Sequence, residues 1–371
     1  MPKTCILALY GQRSKCADLF WRIRDFHSKV MEIEMNDIDI VVRWVDNNDL
    51  IWQKEKQKYV MLEKECKRKD ADFSIERYRD WDLLRYWFRG IEANAPWVRK
   101  VFFITCGHRP AWLNLKHPKL ELVEHKDFIP AKWLPTFSSR TIDFNIYRID
   151  QLSNKFVFFD DDMYLIKKTK ETDFFVENQP CDSMVFNVIT ALFQDNIGQN
   201  IFNNMTFINK NFPKSKLNRK NLLKLFTLKY GRYLYKNFVL FPWKYYLGFQ
   251  DFHLPESLLK STFEEIWERE PEILESTCSH KFRQTGDVNQ WLIRYWQLVD
   301  FNFYPRITNI GKYFEITNDN REIIRAIKTK KYKMICLNEG KPGSIIDFDN
   351  QKKRLQRAFQ EVFPYKSGYE I

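Results

Sequence analysis

Phe156-Val157-Phe158-Phe159 runs directly into Asp160-Asp161-Asp162. Four consecutive apolar residues suit a strand buried on both faces, as in a parallel sheet covered on its two sides. Ligands of open α/β sheets gather at the carboxyl ends of the strands, so these aspartates stand where chemistry is expected. Adjacent carboxylates repel one another, and they stay ionised together when a hard cation such as Mg²⁺ or Mn²⁺ neutralises them. Short aspartate clusters also cap helices and build turns, so the local pattern leaves both readings open.

Upstream, residues 38–45 alternate and then turn polar at Asp46-Asn47-Asn48-Asp49, a strand followed by a turn or helix cap. Residues 50–72 are rich in Lys and Glu and read as an exposed helix. Leu83, Leu84, Trp87, Phe88 and Ile91 then recur at helical spacing until Pro96. Strands are expected at 101–105 and 120–123, and a helical stretch at 140–152 leads into the acidic strand. Strands alternating with helices imply a mostly parallel, doubly wound α/β sheet. Beyond residue 175 the alternation weakens. Helices are expected over 254–301, a last strand at 333–337 and a helix over 349–362.

With 371 residues the chain can bury a large core, and length allows two domains or one α/β domain with an insert. No run of about 18 apolar residues suggests a transmembrane helix, and residues 5–10 read as a short strand rather than a signal peptide. The seven cysteines are odd in number, scattered, and form no Cys-x-x-Cys pair, a pattern of reduced cytosolic thiols. Zinc-site spacing is missing, which leaves carboxylates as the plausible metal ligands. Net charge is +12, and residues 196–250 contain no acid but ten bases interleaved with Tyr, Phe and Trp. Such a segment suits an anionic lipid surface, a phosphate-bearing acceptor or nucleic acid, and equally a solvated basic face.

Four separated blocks of the chain resemble the Stealth family. The first is Ile38-Asp39-Ile40-Val41 with Trp44-Val45-Asp46 and Asp49. The second runs from Arg77 through Arg79-Asp80, Leu84-Arg85-Tyr86, Ala95-Pro96-Trp97, Trp112-Leu113 and Leu134-Pro135-Thr136-Phe137-Ser138-Ser139 to the acidic strand end. His253 and Pro255 with Phe282-Arg283 and Asp287-Val288-Asn289 form the third. Cys336-Leu337-Asn338-Glu339, closed by Phe363-Pro364 and Tyr369-Glu370, is the fourth. Relatives usually carry Asn at Asp160, Glu at Asp143 and Asp at Glu339, so this chain departs there while keeping polar or acidic side chains.

The resemblance implies transfer of a sugar-1-phosphate from a nucleotide-sugar to a glycan hydroxyl, in the manner of capsular and exopolysaccharide phosphotransferases. It implies a divalent cation held by Asp161 and Asp162, with Asp160, against the donor diphosphate, and Asp46 in the donor pocket. His253 is the expected general base or phosphoryl hydrogen-bond donor, since imidazole exchanges protons near neutral pH. Arg283 would grip phosphate oxygens with its planar fork. Arg77, Arg79, Asp80, Thr136, Ser138, Ser139, Asp143 and Glu339 are the remaining candidates for donor or substrate contacts. His108, His117 and His125 are expected to be structural. The implied division is an extension (1–37), a nucleotide-sugar and metal-binding core (38–195), the basic aromatic insert (196–250) and a C-terminal part completing the site (251–371). A lipid-linked or growing glycan would be the acceptor, with the enzyme in the cytoplasm or peripheral at the inner membrane face. The rival activity is a metal-dependent glycosyltransferase moving the sugar without its phosphate. Nucleic-acid binding by the insert is the rival from another class, and nucleic acid is not an expected partner.

Overall fold

The computed structural model describes residues 37–65, 80–190, 196–339 and 345–371. Arg77, Arg79 and the strand expected at 5–10 lie outside the described residues.

A five-stranded sheet forms the centre. Strand β1 (Ile38–Arg43) lies between β2 (Val101–Thr105) and β4 (Lys155–Phe159), and β3 (Leu120–Glu124) lies outside β2. All three of these pairings are parallel, with Val41 aligned to Phe102 on one side and Phe158 on the other. Strand order therefore runs one way through β2 and β3 and reverses at β4, which opens a crevice beyond the carboxyl ends of β1 and β4.

Both faces of this sheet are apolar and covered, which is why its strands read as unbroken hydrophobic runs. Ile40, Val42, Phe103, Val157 and Phe159 face a cluster containing Trp87, Phe88 and Phe359. Val41, Phe102, Ile104, Phe156 and Phe158 face a second cluster containing Phe263, Leu292 and Trp296. Each such side chain gains about 1.5–3 kcal/mol from burial. The architecture is thus mixed α/β around a mainly parallel sheet.

Two expectations about secondary structure need correction. Residues 254–301, expected to be helical, begin with the strand Glu256–Leu259, which pairs antiparallel with β4 and sets Glu256 opposite Phe158. Four residues leading straight into the helix Lys260–Arg269 carry no periodicity of their own, and long-range pairing decides their state. The stretch 140–152 is a shorter helix, Ser139–Asn145, with a 3₁₀ turn at Ile146–Arg148.

A second sheet was only partly anticipated. Just past the three aspartates, β5 (Met163–Leu165) pairs antiparallel with the strand Met334–Glu339, which also pairs parallel with Gly311–Ile316. Cys336 thereby sits opposite Met163. The helix Leu84–Asn94 packs tightly on this join, where Gly90 leaves room that a Cβ would take, 2.7 Å from the Leu165 carbonyl oxygen.

Residues 196–240 fold as helical segments, including Asn196–Asn211, Arg219–Leu225 and Leu234–Leu240. Several of the bases in residues 196–250 are spent internally. Lys214 is buried and donates to the carbonyls of Leu240, Phe241 and Trp243, and burial lowers its pKa to about 8. Lys224 donates to the carbonyls of Phe301 and Phe303, and Lys236 to Asn187 and Gln250. The free cationic face is smaller than composition suggests.

Candidate active site

The three aspartates have different partners. Asp160 Oδ1 lies 2.6 Å from Arg43 Nη2, while Arg43 Nε donates to Asp143 Oδ1 at 2.7 Å. Parallel register produces this contact, since Val42 aligns with Phe159 and the next residue on each strand is Arg43 and Asp160. Asp143 is buried on the helix Ser139–Asn145, and burial raises its pKa to about 6 against the opposing pull of Arg43. The Arg43 guanidinium loses hydration here, yet Asp143 and then Asp160 raise its pKa further.

Asp161 opens onto a cavity of about 100 Å³ lined also by Arg43, Arg283, Thr136, Ser139 and His125. Its residue surface is exposed at the mouth, yet protein surrounds the carboxylate on most sides. That desolvation, then the neighbouring Asp162, pushes its pKa up to about 7. Arg283 Nη2 donates to Ser139 Oγ at 2.6 Å. Two guanidinium groups and a carboxylate thus face one small space, a combination suited to phosphate oxygens with or without a cation.

Asp162, a charge neighbour of Asp161, also borders a second group of side chains. One ligand atom each of Asp162, His253 and Cys336 lies within 4.8 Å of the others, a group able to hold a metal ion. Asp162 Oδ1 is buried without a hydrogen-bond partner among the described residues, which fits an additional bound group. Burial and then Asp160 raise the Asp162 pKa to about 6, whereas His253 and the Cys336 hydrogen bond lower it. Its carbonyl accepts the Leu337 N–H at 2.9 Å. Donors of O, N and S suit a borderline cation, whereas Mg²⁺ prefers oxygen alone.

His253 adopts a left-handed backbone, φ 49°, and its N–H donates to Asp251 Oδ1 at 3.1 Å. Its ring meets Trp291 and Tyr313 edge-on at centroid distances of 5.8 and 5.4 Å. Behind it, the buried Arg294 donates to both carboxylate oxygens of Asp182 at 2.7 and 3.0 Å, and Asp251 adds to the field that holds its charge. Burial, then Asp251, pushes the Glu256 pKa well above the carboxylate range.

Other candidates fall around this corner. Asp46 accepts the Asn48 N–H as a turn cap, while its own N–H donates to His108 Nε2 at 2.8 Å. His108 was expected to be structural, and it anchors the loop after β1. Asp80 contributes to the fields felt by Asp161 and Tyr164, and burial raises its own pKa. Thr136 and Ser138 are buried; Thr136 Oγ1 accepts the Ser138 N–H, and Ser138 Oγ has no partner among the described residues. Glu339 ends its strand on the opposite side from Cys336 and Asn338 by strand alternation. Arg283 and His253 reach the corner through different acids, Arg283 on the Asp161 side and His253 beside Asp162.

Sequence reasoning passed over Arg43, Asp251, Glu256 and Tyr313 and assigned Cys336 no role, while His125, expected to be structural, lines the cavity. A charged residue ending an apolar strand marks Arg43, but its partner emerges only from register. His125 is desolvated enough that its pKa falls to about 3.

Residues 77–182 match the model of Stealth protein CR2, conserved region 2. A capsular polysaccharide phosphotransferase WcwK of Streptococcus pneumoniae is 44% identical over 336 residues, covering 91% of this chain and 98% of that protein. The chain belongs to the Stealth family. Further Stealth relatives include the exopolysaccharide phosphotransferase cps2G of Lactiplantibacillus plantarum, 36% identical over 90% of this chain and 96% of that protein. Another is the receptor polysaccharide phosphotransferase WefC of Streptococcus gordonii, 35% identical over 90% of this chain and 99% of that protein.

Proposed function

We infer that this Stealth protein is a polysaccharide phosphotransferase of capsule or exopolysaccharide synthesis. It moves a hexose-1-phosphate or HexNAc-1-phosphate from a nucleotide-sugar to a glycan hydroxyl. The acceptor oxygen attacks the phosphorus that carries the sugar, a phosphodiester forms, and the bond to the nucleoside monophosphate breaks with its electron pair. Full-length similarity to phosphotransferases supports the reaction class. The observation carrying the mechanism is the convergence of Arg43, Arg283 and Asp161 on one cavity at the sheet's reversal point, with His253 across Asp162.

The cavity is far smaller than ligand pockets of roughly 300–1,000 Å³, so it suits the diphosphate while the rest of the donor lies outside. Arg283 and Arg43 orient phosphoryl oxygens, and His253 removes the acceptor proton. Asp161 and Asp162 would hold a Mg²⁺ or Mn²⁺ ion, which when bound neutralises charge developing on the diphosphate. A thiol and an imidazole are poor ligands for such hard cations, and leaving both Cys336 and His253 outside the set keeps the imidazole free to act as base. Residues 38–195 then serve as a doubly wound donor-binding core, and 251–371 supply His253 and Arg283.

Contact with an anionic membrane face is part of this proposal. Tyr235, Phe238 and Val239 share one face of the helix Leu234–Leu240 and are exposed, as are Trp243 and Tyr245 beside Lys244. Such a surface fits the inner leaflet, where a lipid-linked acceptor would be displayed. Among the described residues no helix is long and apolar enough to cross a membrane. Flotation with anionic liposomes that does not weaken with salt would count against this contact.

The decisive experiment incubates the protein with nucleotide-sugars, Mg²⁺ or Mn²⁺ and candidate glycans, and follows products by ³¹P NMR. Phosphotransfer yields a phosphodiester and a nucleoside monophosphate. Release of nucleoside diphosphate instead would replace this reading with ordinary glycosyl transfer.

A further inference from the structure

A second, larger cavity of about 790 Å³ lies against the His253 side of the corner. Residues of the insert (Lys229, Arg232, Tyr233), the segment before His253 (Asp251, Phe252) and the second sheet (Lys312, Tyr313) line it. Tyr313 joins it to the candidate centre. Its ring meets the His253 ring at 5.4 Å, and its hydroxyl accepts from Asn338 at 3.2 Å. Asp251, on the cavity wall, also holds the His253 backbone.

We propose that this cavity binds the acceptor, and that the acceptor segment it takes is an oligosaccharide carrying a phosphate. The assignment rests on the phosphotransfer reading above. Its volume falls within the roughly 300–1,000 Å³ typical of ligand sites, and its aromatic walls offer flat apolar faces to sugar rings. Three bases oppose one acid on the wall, and their surroundings differ. Lys312 is paired with Glu322, and Lys229 donates to the Pro305 carbonyl while lying over the Tyr304 ring. Arg232 is exposed and donates to the neutral Tyr233 hydroxyl, so its charge is not cancelled by that contact. An exposed guanidinium beside a tyrosine at the rim of a cleft matches a phosphate group flanked by a sugar. A phosphodiester laid down in an earlier round of transfer and a phosphate linking the glycan to a lipid present this same chemistry.

Isothermal titration tests the assignment with no donor present. The ligands are a synthetic oligosaccharide with an internal phosphodiester, one with a terminal lipid-type diphosphate, the neutral counterpart, and a single-stranded oligonucleotide. The unaltered protein should bind at least one phosphate-bearing glycan about tenfold more tightly than the neutral one. Which of the two wins distinguishes the source of the phosphate. Arg232→Gln should remove most of that preference, whereas Tyr233→Ala should weaken charged and neutral glycans alike, with circular dichroism unchanged in both. Equal affinity for charged and neutral glycans, indifference to Arg232→Gln, or tightest binding of the oligonucleotide overturns the proposal. Loss of the phosphate preference removes only this assignment, whereas missing phosphodiester product with the preference intact removes only the phosphotransfer reading.

Discussion

Asp160, the first of three consecutive aspartates, is bound by Arg43 at 2.6 Å, and the same guanidinium holds buried Asp143 at 2.7 Å. One guanidinium is therefore shared between two acids, and it offsets only part of the negative charge that the aspartate run carries. Arg43→Met would strand two acids in a poorly hydrated site, at about 3–5 kcal/mol. Urea unfolding should show that loss, and Asp160→Asn placed in the Arg43→Met background should recover part of it. Wild-type stability in Arg43→Met would mean the contact is not a structural pair.

Asp161→Asn and His253→Ala are each expected to leave the fold intact and to cripple turnover. Loss of a general base typically costs about 10²–10⁴-fold in rate. Monophosphate release under saturating donor measures the effect, and full activity in either variant removes that residue from its assigned part.

Chelation should abolish transfer, and Mg²⁺ or Mn²⁺ should restore it. If carboxylates alone hold the ion, Cys336→Ser keeps Mg²⁺-supported activity within about threefold, because the thiol is not a hard-cation ligand. Loss of activity with Mg²⁺, together with weakened Cd²⁺ binding, would instead make Asp162, His253 and Cys336 the metal set.

Far from the corner, Arg89 clamps Glu370 through two hydrogen bonds of 2.7 and 2.8 Å. Burial pushes the Glu370 pKa up, but Arg89 and Ser367 outweigh it and hold the net value below normal. A depressed carboxylate pKa adds stability above its unfolded value, about 4.3, and that stability fades as pH falls through the folded value. Glu370→Gln should therefore cost about 3–5 kcal/mol at pH 7, with the difference from wild type shrinking in acid. Denaturation midpoints at pH 7 and pH 3 make the comparison, and a constant difference would refute it.

Lys214→Met should cost about 1–3 kcal/mol, since three carbonyl oxygens would lose their shared donor. An unchanged melting temperature would show that water replaces the ammonium there.

Much of this protein was readable along the chain because its parallel strands are local apolar runs. Residues 38–43, 101–105, 120–124 and 155–159 each declare themselves. Glu256–Leu259 and Met163–Leu165 did not, because short strands owe their state to partners about a hundred or more residues away. The site divides in the same way. Acids at a strand end are visible as a pattern, whereas Arg43 beside Asp160 and Cys336 beside Asp162 depend on register between strands. Asp251 and Glu256 escaped notice because isolated acids near a proline carry no periodic signal. The insert misled by composition: Lys214, Lys224 and Lys236 looked like surface charge and act as internal donors.

The Leu337 N–H that donates to the Asp162 carbonyl has a bearing on how the protein is made. A ribosome delivers the four parallel strands long before the strand Met334–Glu339 emerges, so a half-synthesised molecule owns its acidic turn without the clasp that sets it. Competence then arrives late in translation, and fragments ending early should be unable to squander activated sugars.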